Sequence, residues 1–131
     1  MAGVENRVAL VTGAGRGIGR ETALLLASRG ACVMGVARSE QELATLDLEY
    51  VVADLSTQDG CARAVAETEQ RLGPIEIFVC NHGLGSAHER VIWEQDIETW
   101  EETMRINLDG PFYLSRLIVG RMVEQRYGRC V

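Results

Sequence analysis

The run Val8-Ala9-Leu10-Val11-Thr12-Gly13-Ala14-Gly15-Arg16-Gly17-Ile18-Gly19 leaves few folds open, because an apolar strand passes straight into a glycine-rich turn and then into a helix. A diphosphate needs bare backbone N–H groups and the positive end of a helix dipole, and only glycines let the main chain come that close. In this role Gly13 permits the tight turn, Gly15 and Gly17 keep side chains out of the phosphate approach, and Gly19 lets the helix pack on the strand. The spacing is T-G-x-x-x-G-x-G, with Gly13, Gly17 and Gly19 as fixed points. A helix is predicted over residues 20–28, with Ala23, Leu24 and Ala27 on one face and Gly30 as its stop. That context outweighs the plainer reading of a glycine turn that merely closes a strand-helix corner.

Strand and helix patterns alternate from there. Strands are predicted over 8–11, 31–37, 50–53 and 75–80, and helices over 20–28, 39–45 and 57–72, the last closed by Gly73-Pro74. A further helix over 97–107 continues past Gly110-Pro111 into an apolar one over 112–125, and Arg129-Cys130-Val131 reads as the opening of a fifth strand. Such alternation implies right-handed crossovers and an α/β fold: a Rossmann-type, doubly wound parallel sheet in the order 3-2-1-4, with the start of strand 5 beside strand 4. The whole of 1–131 is then one NAD(P)-binding domain, incomplete at its C-terminus, and no repeat or linker divides it.

Composition excludes several classes of partner. The net charge is −6 and the arginines are scattered, so a nucleic-acid backbone would be repelled. No apolar run approaches the roughly 20 residues of a membrane span, and no export leader precedes the first strand. Cys32, Cys61, Cys80 and Cys130 form no C-x-x-C pair and lie in or beside apolar segments, which predicts buried free thiols in a reducing, cytoplasmic setting. All 13 basic residues are arginine, so the chain has no lysine.

In a dinucleotide fold the end of the second strand selects the cofactor: an acid bonds the ribose 2′-hydroxyl of NAD, and an arginine accommodates the 2′-phosphate of NADP. Here the strand ends Val36-Ala37-Arg38-Ser39. Arg38 can pair with phosphate, Ser39 can donate a hydrogen bond, and Arg16 can converge from the glycine turn, which favours NADP(H) with NAD(H) as the second choice. The competing reading makes Arg16 and Arg38 solvated surface residues and Glu40 the ribose acid.

With these motifs in register the chain resembles the short-chain dehydrogenase/reductases over nearly its whole length, most of all their NADP(H)-preferring 3-oxoacyl-carrier-protein-reductase-like members. Thr12 to Gly19 is similar to the family's glycine motif, and Asp54-Leu55 stands where its members bond adenine. Cys80-Asn81-His82-Gly83 stands in place of Asn-Asn-Ala-Gly, so Asn81 and Gly83 fall at cofactor positions, and Asn107 falls on the catalytic asparagine. The resemblance implies hydride transfer between a nicotinamide and a small-molecule carbonyl or alcohol, using a serine, a tyrosine and a lysine four residues after the tyrosine. It also implies a homo-oligomer, dimer or tetramer, of the full-length parent through the apolar helix at 112–123. Tyr50, Tyr113 and Tyr127 have no lysine to pair with. The chain stops before the family's serine and Tyr-x-x-x-Lys segment, so on its own it is expected to be inactive and marginally folded. The alternative to an enzyme portion is a nucleotide-binding module without chemistry of its own.

Other residues carry paired expectations. Asp54 can cap the next turn through Ser56 and Thr57 as well as meet adenine. Asn107 can bond a backbone carbonyl within its helix and bend it; in the family that bend supports a proton-relay water. His82 is either a proton carrier or a tolerated substitution whose ring points aside. His88 reads as surface, and Trp93 and Trp100 as helix packing.

Overall fold

The computed structural model describes residues 3–85 and 90–131, so His88 lies outside the described residues. Five parallel strands, β1 (Val8–Thr12), β2 (Cys32–Ala37), β3 (Glu49–Val52), β4 (Ile77–Val79) and β5 (Arg129–Cys130), lie in the order β3-β2-β1-β4-β5. This is the expected 3-2-1-4 sheet with strand 5 beside strand 4. Every residue of β1 is buried, as a strand covered on both faces requires.

Strand alternation divides the core into two layers. Leu10, Met34, Val36 and Phe78 face α3 (Gln58–Leu72) and α5 (Gly110–Glu124), where they meet Cys61, Val65, Leu114 and Ile118. Ala9, Val11 and Val33 face α1 (Gly17–Ser28) and α2 (Glu40–Leu43), where they meet Ala23 and Leu43. The predicted elements survive with shifted ends. β3 starts one residue earlier than predicted. β4 is shorter, though Glu76 N–H still donates to Val8 C=O at 3.0 Å and Cys80 N–H to Val131 C=O at 2.7 Å.

Two shifts bear on function. The first helix begins at Gly17 rather than residue 20, after an extended Arg16 at φ −155°. Its opening turn therefore lies inside the glycine loop, and its first N–H groups have no partner within the helix. The second shift is in the long C-terminal helix, which is interrupted before Gly110-Pro111. A π-helical turn over Arg105–Asp109 joins α4 (Ile97–Met104) to α5, and Gly110 N–H donates to Arg105 C=O. Pro111 contributes no N–H to continue an ordinary ladder here.

Two expectations are corrected. Only Cys61 is a buried thiol, while Cys32, at the start of its strand, and Cys130, on the edge strand, are exposed. Trp93 is 80% and Trp100 53% exposed, so neither packs a helix: the 3-10 turn Ile92–Glu94 and α4 bury no residue. α5 buries Leu114, Ile118 and Met122 four residues apart, yet turns Phe112 and Val123 outward. Among the described residues no helix is long and apolar enough to cross a membrane.

Candidate functional site

A cavity of about 510 Å³ opens at the C-terminal ends of β1, β2 and β4, where the strand order reverses across β1. In open α/β sheets this switch point is the ligand crevice. Gly13, Gly15, Arg16, Gly17 and Ile18 line one wall, Arg38, Ser39, Asp54 and Leu55 a second, and Asn81 and Gly83 a third. Thr12, Gly19 and Asn107 do not line it. Thr12 and Gly19 support the loop from beneath, and Asn107 is held elsewhere.

The loop is built by close contacts. Gly13 adopts φ +65°. Gly19 packs so tightly that a Cβ there would run into the Gly13 carbonyl oxygen and the Asn81 amide. Asn81 Nδ2 in turn donates to Thr12 C=O at 3.2 Å and Gly13 C=O at 3.4 Å, tying the loop to the end of β4. A Cβ on Gly17 would meet nothing within 4 Å, so the face in front of the helix N-terminus is open. First-turn N–H groups without a partner inside the helix, the helix dipole and the open space at Gly17 are the features with which a helix N-terminus can accept an anion.

Charge is concentrated at one end. Among the described residues neither Arg16 nor Arg38 pairs with a carboxylate within 4.0 Å, although Arg7, Arg63, Arg71, Arg105 and Arg121 do. Ser39 caps α2, its hydroxyl oxygen accepting from Glu42 N–H at 3.3 Å, which leaves the hydroxyl proton for a ligand. Asp54 is exposed, and its Oδ1 accepts from Ser56 Oγ at 2.7 Å and Ser56 N–H at 3.0 Å. Those two bonds, with a smaller pull from Arg38, hold its carboxyl below the usual aspartate range. Thr57 caps α3, accepting from Gly60 N–H at 3.0 Å, and reaches Asp54 only through that residue's carbonyl.

Asn107 departs from expectation. Its side chain bonds no carbonyl within the helix; Nδ2 donates to Leu84 C=O at 3.0 Å and Oδ1 accepts from Leu84 N–H at 2.7 Å. It lies within the π turn, which presents Asn107 to the segment after β4. Asn107 thus clasps the cavity's third wall from outside.

His82 also turns inward rather than aside, and it lines the cavity. Thr12 Oγ1 accepts from Asn81 N–H at 3.0 Å and His82 N–H at 3.2 Å, which uses both lone pairs of the hydroxyl. Its one proton has His82 Nδ1 at 2.8 Å and Val79 C=O at 3.2 Å to choose from, and the shorter contact assigns Nδ1 as acceptor and puts the ring proton on Nε2. Nε2 is buried without a hydrogen-bond partner, and burial pushes the His82 pKa below its ordinary value against a smaller pull from the Ile106 carbonyl.

The sign of the pH effect follows. The unfolded chain protonates His82 first, so stability falls as pH drops below 6.5 and stops falling once the lowered folded value is passed. Urea unfolding between pH 7 and 5 is expected to show a His82 slope of up to about 1.4 kcal/mol per pH unit, absent in His82→Ala. An unchanged slope in the variant would refute the assignment.

Glu42 was not singled out by the sequence. Glu40, the competing candidate for the ribose acid, does not line the cavity, whereas Glu42 does. A Cβ on Gly15 would lie 2.6 Å from Glu42 Oε2. The only available signal was the half-turn between the two residues on a four-residue helix, too short for periodicity to decide.

A family model described as short chain dehydrogenase matches residues 7–131. The 3-oxoacyl-(acyl-carrier-protein) reductase FabG of Buchnera aphidicola subsp. Schizaphis graminum (strain Sg) is 30% identical over 135 residues, covering 98% of this chain and 54% of the relative. The 2-dehydro-3-deoxy-L-rhamnonate dehydrogenase (NAD(+)) of Sphingomonas sp. (strain SKA58) is 34% identical over 130 residues, covering 95% and 52%. A solved metagenomic short-chain oxidoreductase in complex with NADP superposes with a TM-score of 0.90 at 28% identity, covering 96% of this chain and 61% of that one. The chain spans about half the length of the curated relatives it matches.

Proposed function

The chain belongs to the short-chain dehydrogenase family, and on that premise we propose that its cavity holds NADP(H) as the nucleotide-binding part of an oxidoreductase acting on a small-molecule carbonyl or secondary alcohol. The observation that carries the cofactor choice is the pair Arg16 and Arg38, free of carboxylate partners among the described residues and beside Ser39 at one end of the glycine cavity. One relative's name carries NAD(+) and two solved neighbours hold NADP, so the comparisons name both cofactors and the choice rests on this chain's own residues.

The residues fit the group. The open face at Gly17 and the free N–H groups of the first helical turn bind the diphosphate. Arg38 and Arg16 neutralise a 2′-phosphate, with the Ser39 hydroxyl donating, and Asp54 with Leu55 borders the adenine end. Asn81 keeps the loop in shape, and Asn107 holds the wall at Leu84. When bound, the nicotinamide supplies or accepts hydride.

Proton transfer is another matter. A phenol with a pKa near 10 needs an adjacent cation to work near pH 7, and this chain has no lysine to supply one. We expect the 131-residue chain to bind NADPH and to show no carbonyl-dependent oxidation of it. Fluorescence titration with NADPH and a turnover assay over a carbonyl panel test both halves. Absence of binding refutes the cofactor reading, and sustained turnover refutes the reading of these residues as a binding portion. For association, the outward Phe112 and Val123 of α5 form the face through which copies would pair.

A further inference from the structure

An acid on an anion cradle calls for a reason. Glu42 projects from α2 over Gly15, where an added Cβ would also meet Ala37 Cβ at 3.4 Å. This places the Glu42 carboxylate where the glycine loop meets the end of β2, the corner that Arg38 and Ser39 occupy. The absence of a side chain at Gly15 is what admits it, since a Cβ there would lie 2.6 Å from Oε2 and 3.1 Å from Glu42 Cβ. Among the described residues Glu42 is in no ion pair within 4.0 Å, so no arginine neutralises it.

We infer that Glu42 is a specificity-determining residue that opposes the two arginines: its carboxylate repels a 2′-phosphate and accepts from ribose hydroxyls, so the chain takes both NADP(H) and NAD(H) with a narrowed preference for the former. The inference rests on the nicotinamide-dinucleotide reading of the cavity. Like charges in one solvent-open cavity interact modestly and are screened by salt, so the effect is a tuning of preference and no absolute barrier. Gly15 and Glu42 act as a unit, because only glycine leaves the carboxylate its place.

Parallel titrations of the chain with NADPH and NADH test this. Glu42→Gln keeps the shape and removes the charge; it is expected to tighten NADPH about three- to fivefold while leaving NADH unchanged or weaker. Glu42→Ala should move the ratio the same way, and the gain in NADPH affinity should shrink between 0.05 and 0.5 M salt, conditions estimated from a screening length of about 10 Å at 0.1 M. If the unmodified chain binds both dinucleotides and Glu42→Gln leaves their ratio unchanged, the inference is overturned while the cofactor reading stands. If it binds neither, the cofactor reading falls and takes the inference with it.

Discussion

Gly19→Ala is expected to abolish measurable dinucleotide binding and to lower the melting temperature of the chain by roughly 10 °C, from about 3 kcal/mol of overpacking at roughly 3–5 °C per kcal/mol for a domain of this size. The added methyl would run into the Gly13 carbonyl oxygen and the Asn81 side-chain amide and lie 2.8 Å from the Gly13 carbonyl carbon. Two of these are backbone atoms of a turn already at φ +65°, so no side-chain rotation relieves the crowding. Relief requires moving the loop off the first turn of α1, which pulls Asn81 from Thr12 and Gly13 and scatters the N–H groups of the cradle. Gly17→Ala is the contrast, since an added Cβ there meets nothing, although its φ of +56° still strains any other residue. Thermal unfolding followed by circular dichroism, with an NADPH titration, decides the matter. A Gly19→Ala chain that melts within 2 °C of the unmodified one, an allowance set by the roughly 0.5 kcal/mol typical of neutral changes, would show that the loop is not packed as described.

The second large effect concerns cofactor choice. Arg38→Asp is expected to weaken NADPH about 100-fold while leaving NADH within about threefold, inverting the preference. A hydrogen bond to a charged group is worth about 1.5–3 kcal/mol, and the substitution also sets a carboxylate against the phosphate. An acid at that turn can instead bond the ribose hydroxyls. Arg38 is exposed, so the variant should fold, and the loss of its pull on Asp54 is the minor one of three influences lowering that pKa. Equal affinities for NADPH and NADH in the unmodified chain, or a preference that survives the substitution, would remove the argument from Arg38. Glu42→Gln acts on the same ratio in the opposite direction, so the two together measure how the cavity's charges are balanced.

The fold was largely legible in the order of residues. Short continuous apolar runs and helices with period three to four are local patterns, and the cavity's position follows once the strands are known to be parallel. Element ends were less legible, because they depend on partners in other strands: β4 ends as a ladder at Val79, although Cys80 N–H still bonds Val131. The earlier start of α1 was hidden for another reason. Gly17 has poor helix propensity, and only the docked loop makes the helix begin there. Trp93 and Trp100 misled because their spacing resembles a packed face, while no described element covers them.

The sequence alone determined that a glycine turn leads from the first strand into a helix, that one arginine lies in that turn and another follows the second strand, and that no lysine is present to lower a phenol's pKa. These depend on residue type and chain proximity, which need no packing to be known. The tertiary structure decided what each polar group bonds. His82 reaches Thr12 across 70 positions, Asn107 clasps Leu84 across 23, Glu42 rather than Glu40 enters the cavity, and Gly19 touches Gly13. A half-turn of one short helix, or a single π turn, redirects a side chain by several ångströms, and hydrogen bonds are lost over less than one. Local pattern can therefore place the cradle, while only packing shows which acid leans over it.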